Sequence, residues 1–230
     1  MAETAKTSQA HFETKRRAYY RCTRKGLVDF LAAHHPMAGR ALDVGCAEGF
    51  FGAALLKRGF TEVVGVEPVS EVADRARARL SRVVVGTFDD IDRSSLGLFD
   101  VVAFGDSLEH MLDPWKALRN AREMLTSDGV LLLSVPNVAH LSVLLSAWRR
   151  GRWDYKDKGL LDRTHIRFFT PATLNEALVV AGFTTTATMD IEKPLSFKRR
   201  LLRPLIAALW PHLLVFQMFV VAAPSERTVS

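Results

Sequence analysis

Leu42-Asp43-Val44-Gly45-Cys46-Ala47-Glu48-Gly49-Phe50 reads as a buried strand that ends in a glycine-punctuated turn and runs directly into a helix over 50–58. Such a corner brings backbone amides and a helix N-terminus up to a bound ligand. A second apolar strand, Val63-Val64-Gly65-Val66, ends in Glu67. An acidic side chain about twenty residues beyond the turn suits the two hydroxyls of an adenosine ribose. The two features together describe a pocket for an adenosine-bearing cofactor. A dinucleotide corner needs a glycine at its middle so that the backbone can touch a pyrophosphate. Here that position is Ala47, in a Gly-x-x-x-Gly run, and its methyl group hinders a diphosphate. It does not hinder a cofactor that carries an amino-acid tail instead.

Working outward, apolar runs alternate with amphipathic ones. The patterns predict strands over 40–44, 62–67, 82–86, 99–104, 129–135, 183–190 and 213–222. They predict helices over 50–58, 70–80, 113–125, 138–149, 171–181 and 198–210, with a further helix over 11–34. This alternation means an α/β fold with a doubly wound, mostly parallel seven-stranded sheet, its last strand antiparallel. Asp113-Pro114 and Thr170-Pro171 read as helix starts, each an N-cap followed by proline at the first helical position. Ser127-Asp128-Gly129 reads as a turn into the fifth strand. The expected organisation is an N-terminal helical cap over 1–36 and one ligand-binding domain over 37–230. Acceptor-side insertions are expected near 138–170 and 192–212, and the irregular stretch 149–169 is long for a strand-to-helix connection.

The composition is 48% apolar and 24% charged, which suits a soluble globular chain. The net charge of +6 is concentrated in Lys15, Arg16, Arg17, Arg21, Arg24 and Lys25, in Arg149, Arg150 and Arg152, and in Lys198, Arg199, Arg200 and Arg203. These stretches read first as solvated helix faces and second as an attraction to an anionic acceptor or an acidic membrane surface. They lack interleaved stacking aromatics and any recognised binding motif, so no nucleic-acid partner is assigned. Two cysteines, Cys22 and Cys46, give no disulfide framework or zinc site. With no secretory signal, the expected location is the reducing cytoplasm. The segment 204–223 is long enough for a membrane span, but Pro204, Pro211, His212 and Gln217 interrupt it. It is read as the basic amphipathic helix 198–210, followed by a core strand. That helix suits a lid or a dimer face before a peripheral membrane foot.

Asp43, Gly45 and Gly49 resemble the first motif of the class I S-adenosylmethionine (SAM) methyltransferases, from which Ala47 departs conservatively. Phe99-Asp100-Val101-Val102 with Leu108-Glu109-His110-Met111-Leu112-Asp113-Pro114 resembles their fourth-strand region. Leu125 to Val135 and then Pro136-Asn137-Val138 resemble the fifth. Gly159-Leu160-Leu161-Asp162-Arg163-Thr164-His165-Ile166-Arg167-Phe168-Phe169-Thr170 is similar to a segment of a bacterial subgroup that accompanies glycosyltransferases in surface-polysaccharide and natural-product pathways. The likeness covers roughly residues 18 to 223.

The resemblance implies SAM as cofactor. It implies that Asp43 orders the turn and that Gly45, Cys46, Ala47 and Gly49 face the methionine moiety. Glu67, with Pro68, would hold the ribose. Thr87 and Phe88 stand where the adenine usually lies. The family often has an aspartate at the Thr87 position, and Asp89 is the nearest substitute. Gly105, Asp106 and Ser107 would line the sulfonium end.

Methyl transfer from a sulfonium is an in-line displacement, so alignment and exclusion of water come first. An oxygen acceptor must also lose a proton, which calls for a base near neutral pKa. His165 is the first candidate, because Asp162, Arg163 and His165 crowd one polar loop; His110 is second and His140 third. Asp106-x-x-Glu109-His110 is similar to a grouping in methyltransferases of quinone precursors thought to bind a divalent ion. Glu109 and His110 are also explained as helix-start residues, which is the preferred reading, and no metal is assigned. Trp148, Trp153 and Tyr155 beside the arginines suit a sugar ring, an anionic headgroup, or the pinning of a long loop. The expected activity is O-methylation of a sugar or glycan-type small molecule. A quinone or phenol acceptor served by a divalent metal is the alternative. A nicotinamide oxidoreductase and a non-catalytic SAM-binding protein are the remaining rivals. A homodimer is left open.

Overall fold

A computed structural model describes residues 24–192 and 203–225. The remainder of the helix expected over 11–34, the basic cluster Lys15 to Arg21, Cys22, and Lys198 to Arg200 lie outside the described residues. The strands are β1 Arg40–Val44, β2 Glu62–Glu67, β3 Arg82–Val85, β4 Phe99–Gly105, β5 Leu125–Pro136, β6 Phe183–Glu192 and β7 Val215–Pro224. The helices are α1 Lys25–His34, α2 Phe50–Arg58, α3 Ser70–Ala76, α4 Pro114–Glu123, α5 Leu141–Arg150, α6 Pro171–Val180 and α7 Arg203–Leu209. The strands form one sheet in the order β3-β2-β1-β4-β5-β7-β6. β1 to β5 pair in parallel, and β7 runs antiparallel to both β5 and β6.

The order reverses between β1 and β4, and in open α/β sheets such a switch point opens a crevice outside the carboxyl ends of the strands. Apolar side chains leave both faces of the sheet. Leu42, Val44, Val64, Val102, Phe104, Leu131 and Leu133 pack with α4 and α6 on one side. Ala41, Val63, Val101, Ala103, Val130 and Leu132 pack with α1 and α2 on the other. Burial on two faces explains the near-continuous apolar runs. The caps act as their sequence implies: the Asp113 side chain accepts from the Lys116 amide at 2.9 Å, and Thr170 and Thr173 form a reciprocal capping box.

Among the described residues, three boundaries differ from the expectation by three residues or more. β5 begins at Leu125, not at 129, because Ser127-Asp128-Gly129 bulges within the strand: Phe99 pairs Leu125 while Val101 pairs Val130. A Cβ on Gly129 would stand 2.9 Å from the Phe99 carbonyl oxygen, which is why the bulge closes on glycine. α5 begins at Leu141, not at 138. Asn137 bridges Phe169 and the Val138 amide donates to the Phe169 carbonyl at 2.9 Å, so those residues are held extended. α3 ends at Ala76 rather than near 80. Among the described residues, no helix is long and apolar enough to cross a membrane.

Candidate active site

β1 and β4 are neighbours, so the turn after β1 and the loop after β4 leave the sheet side by side. The Ser107 hydroxyl ties them, donating to the Val44 carbonyl at 2.6 Å. Gly45 has φ +77°, and a Cβ there would lie 2.7 Å from the Ser107 Cβ, so this position must be glycine for the two exits to close together. Ala47 also has positive φ, +50°. An L-residue there carries strain of the order of 1–2 kcal/mol, and the Glu67 carboxylate holds it in place. Glu67 accepts from the Ala47 amide through Oε2 and from the Val69 amide through Oε1, both at 3.0 Å. Glu67 thus binds the end of β2 to the turn after β1. Burial pushes its pKa up to about 7, with the two amides pulling the other way. Burial likewise lifts Asp43 to about 7, opposed by the charge of Arg24. The Gly52 backbone also pulls the Asp43 pKa down.

Two residues that sequence reasoning did not place in the site complete this end. Arg24, just before α1, donates from Nε to Asp106 Oδ2 at 3.0 Å, and its side chain lies over Gly105. Gln217 in β7 donates to Asp106 Oδ1 at 2.7 Å and to Ser134 Oγ at 2.9 Å, and Ser134 donates to Asp106 as well. Asp106 has φ +56°, a conformation that three side chains converge to hold. A polar residue inside the apolar β7 run was the available signal for Gln217. Arg24 gave none beyond its charge.

The adenine-side residues divide. Phe88 is buried edge-on against Phe104 at 5.6 Å, within the core. The Thr87 hydroxyl donates to Asp90 at 2.6 Å, and Asp89 faces Asn120 and Lys116 of α4. Pro68 lies between Glu67 and the Val69 amide that Glu67 holds. Gly49, with φ +80°, and the buried free thiol of Cys46 belong to the turn itself.

The histidines also divide. The His140 ring caps α5, accepting from the Ser142 amide at 3.2 Å, so its position is explained by the helix start. His110 and His165 come together, their rings 4.8 Å apart and nearly perpendicular. Both Nδ1 atoms face backbone carbonyls, Thr164 at 2.8 Å for His110 and Leu160 at 3.2 Å for His165. A carbonyl only accepts, so each Nδ1 carries a proton and donates it there. His165 Nε2 stands 3.8 Å from Glu109 Oε1, and both side chains are buried. The 159–170 segment is clipped to the loop after β4. The Ile166 and Arg167 amides donate to the Glu109 carbonyl at 3.0 and 3.1 Å, and Arg167 Nη2 reaches the Leu112 carbonyl at 2.5 Å. Asp162, buried, accepts from the Thr164 amide and hydroxyl and shapes this turn.

One ligand atom from each of Glu109, His110 and His165 falls within 4.8 Å of the others. This is a different set from the sequence grouping Asp106-x-x-Glu109-His110. Asp106 turns toward Arg24 and Gln217, and His165 takes its place.

A family model described as a methyltransferase domain matches residues 12–188. Curated relatives include the ubiquinone biosynthesis O-methyltransferase of Neisseria meningitidis, 27% identical over 178 residues that span 70% of this chain and 71% of the relative. The protein of the same name from Actinobacillus pleuropneumoniae is 31% identical over 59% of this chain and 61% of its own. Among solved structures, a SAM-dependent methyltransferase of Thermotoga maritima, described as a possible histamine N-methyltransferase, superposes with a TM-score of 0.65. It has 18% identity and covers 94% of this chain and 99% of its own. Magnesium protoporphyrin IX methyltransferase from Synechocystis, solved with S-adenosylhomocysteine bound, gives 0.62 at 14% identity, covering 90% and 84%.

Proposed function

Because the chain belongs to the methyltransferase-domain family and uses SAM, we propose that it moves the sulfonium methyl group to a hydroxyl oxygen of a small-molecule acceptor. The observation that carries the oxygen assignment is the buried Glu109–His165 pair with His110 against it, beside the exit of β4. His165 Nε2 takes the hydroxyl proton as the oxygen attacks the methyl carbon, and the Glu109 carboxylate favours the imidazolium that results. His110 packs on the His165 ring and fixes its plane. The positive sulfonium leaves as a neutral thioether, so the chain's further task is alignment.

At the cofactor end, Glu67 receives the ribose hydroxyls on lone pairs not used by the two amides, with Pro68 shaping that wall. The Gly45–Gly49 turn, with Cys46 and Ala47, lies along the methionine moiety. Asp43 lies under that turn and orders it, while Gly105, Asp106 and Ser107 line the sulfonium end. Arg24 takes the methionine carboxylate, exchanging one carboxylate, that of Asp106, for another. In this reading α1, the described part of the expected N-terminal helical segment, covers the cofactor mouth. The segment around 138–170 and the described residues 203–212 are acceptor-side insertions, and Thr87, Phe88 and Asp89 form the adenine end. A reducing cytoplasm suits the buried Cys46 thiol.

The names of the curated relatives favour a phenolic or quinol hydroxyl, and the likeness of 159–170 to the polysaccharide-associated subgroup keeps a sugar hydroxyl second. In a second reading, Glu109, His110 and His165 hold a divalent cation. Two Nε2 atoms oriented by Nδ1–carbonyl hydrogen bonds, with one carboxylate, form a donor set that fits such an ion. When bound, the ion would lower the pKa of the acceptor hydroxyl. Methyl transfer from labelled SAM to a panel of catechols, hydroquinones and sugars tests both. Turnover with a phenol that survives exhaustive chelation supports the base, and turnover lost to chelation and restored by one metal supports the cation. Transfer to nitrogen or carbon acceptors alone overturns both.

A further inference from the structure

Two elements at the carboxyl edge of the sheet leave large apolar side chains exposed. In α5 the sequence places Leu141, Leu144, Leu145 and Trp148 at helical spacing, which would ordinarily be the buried stripe. The structure covers that stripe only in part, leaving Leu141 and Leu145 half-buried and Leu144 and Trp148 exposed. Val143 is its one buried residue, and Trp148 is 81% exposed. α7 buries none of its residues, and Leu205, Leu209 and Trp210 face outward.

These surfaces are tethered to one end of the molecule. Asn137, three residues before the α5 cap, donates to the His212 and Val215 carbonyls, both at 2.8 Å, and so holds the turn after α7. Phe216 packs with Val143, Leu160, Leu161 and Phe168, and Trp153 stands edge-on against Phe168 at 5.9 Å. Exposed Trp153 and Tyr155 therefore continue the patch from α5.

The composition of the patch selects its occupant. Tryptophan and tyrosine mixed with leucine form the amphipathic band that settles at a membrane–water interface. Arg149, Arg150 and Arg152 adjoin it. Arg152 pairs with Asp154, whereas Arg149 and Arg150 have no ion-pair partner among the described residues. A second copy docked face to face would bring the two arginine pairs together, which opposes a symmetric dimer here. An anionic bilayer accepts both the apolar side chains and the positive charge.

We propose that α5, the 151–155 segment and the α7–Trp210 surface form a docking face for an anionic lipid bilayer. The face rims the same sheet edge as the histidine cluster. It is centred on α5 rather than on the 198–210 helix that the sequence alone suggested.

Vesicle co-sedimentation of the full chain tests this without cofactor or acceptor, so it stands or falls apart from the methyl-transfer reading. The protein is expected to sediment with vesicles of phosphatidylcholine containing phosphatidylglycerol, but not with phosphatidylcholine alone. Salt should weaken the binding. Arg149→Ala and Arg150→Ala should each weaken it about five-fold. Leu144→Ser with Trp148→Ser should weaken it by about ten-fold or more. SAM titration of each variant verifies folding, since none of these residues belongs to the cofactor site. Three results overturn the proposal: no sedimentation of the folded wild type with the anionic vesicles, undiminished binding by the variants, or a lipid-free dimer in light scattering that Trp148→Ser dissolves.

Discussion

The proposed cofactor end and the proposed acceptor end of this molecule are built by different means. At the exits of β1, β2 and β4 the polar groups are buried, short-range and held by backbone: Glu67 on the Ala47 and Val69 amides, Ser107 on the Val44 carbonyl. Beyond β5 the structure is loop clipped to loop. The 159–170 segment hangs on the Glu109 and Leu112 carbonyls, and much of α5 and α7 is exposed. The first arrangement suits a ligand that is the same at every turnover. The second leaves the side chains around the acceptor free to differ while the cofactor corner stays constant.

Substitutions should separate these two halves. The largest effect is expected at the acceptor end. His165→Ala removes the proposed base, so turnover should fall by about 10²–10⁴ while SAM affinity, read by calorimetric titration, stays within two-fold. A parallel loss of SAM binding would mean that the halves are not separable. Next is Glu67→Ala, which strips the Ala47 and Val69 amides of their acceptor and the ribose of a charged partner. SAM binding should weaken by about 100-fold or more, and Tm should drop even without ligand. Unchanged affinity would remove Glu67 from the site.

The third effect is a pH dependence. Asp43 and Glu67 have folded pKa values raised to about 7, against about 4 for unfolded carboxylates. The native state therefore binds more protons than the unfolded chain between those values. Stability without ligand should fall as pH rises from about 4 to about 7. A ligand that needs the Glu67 carboxylate should do the opposite and bind more tightly as pH rises through about 7, by up to about ten-fold per pH unit below it. Glu67→Gln should flatten that slope, and a slope unchanged in this variant would assign it elsewhere. The smallest effect is Ala47→Gly, which releases the strain at φ +50° but adds unfolded-state entropy. A gain of at most about 1 kcal/mol in denaturant unfolding is expected; a loss would mean that the methyl group packs better than its backbone suggests.

The same contrast explains what could be read from the chain. The β1 corner and the caps at Asp113 and Thr170 are local: a few adjacent residues determine each, so they were legible. Arg24 and Gln217 reach Asp106 across 82 and 111 positions, and no periodicity announces such a meeting. Glu109 looked like a helix-start residue, and only the fold brings it against His165. His140 had the right type and place for a base, but the structure commits its ring to capping α5. The Ser127-Asp128-Gly129 turn was misplaced because a bulge and a turn use the same residues.

The most direct measurement is a crystal structure with S-adenosylhomocysteine and a phenolic acceptor bound together. The account places the acceptor oxygen within about 3.2 Å of His165 Nε2 and in line with the cofactor sulfur. An acceptor whose hydroxyl points away from His165, with Nε2 sealed behind protein, would contradict it.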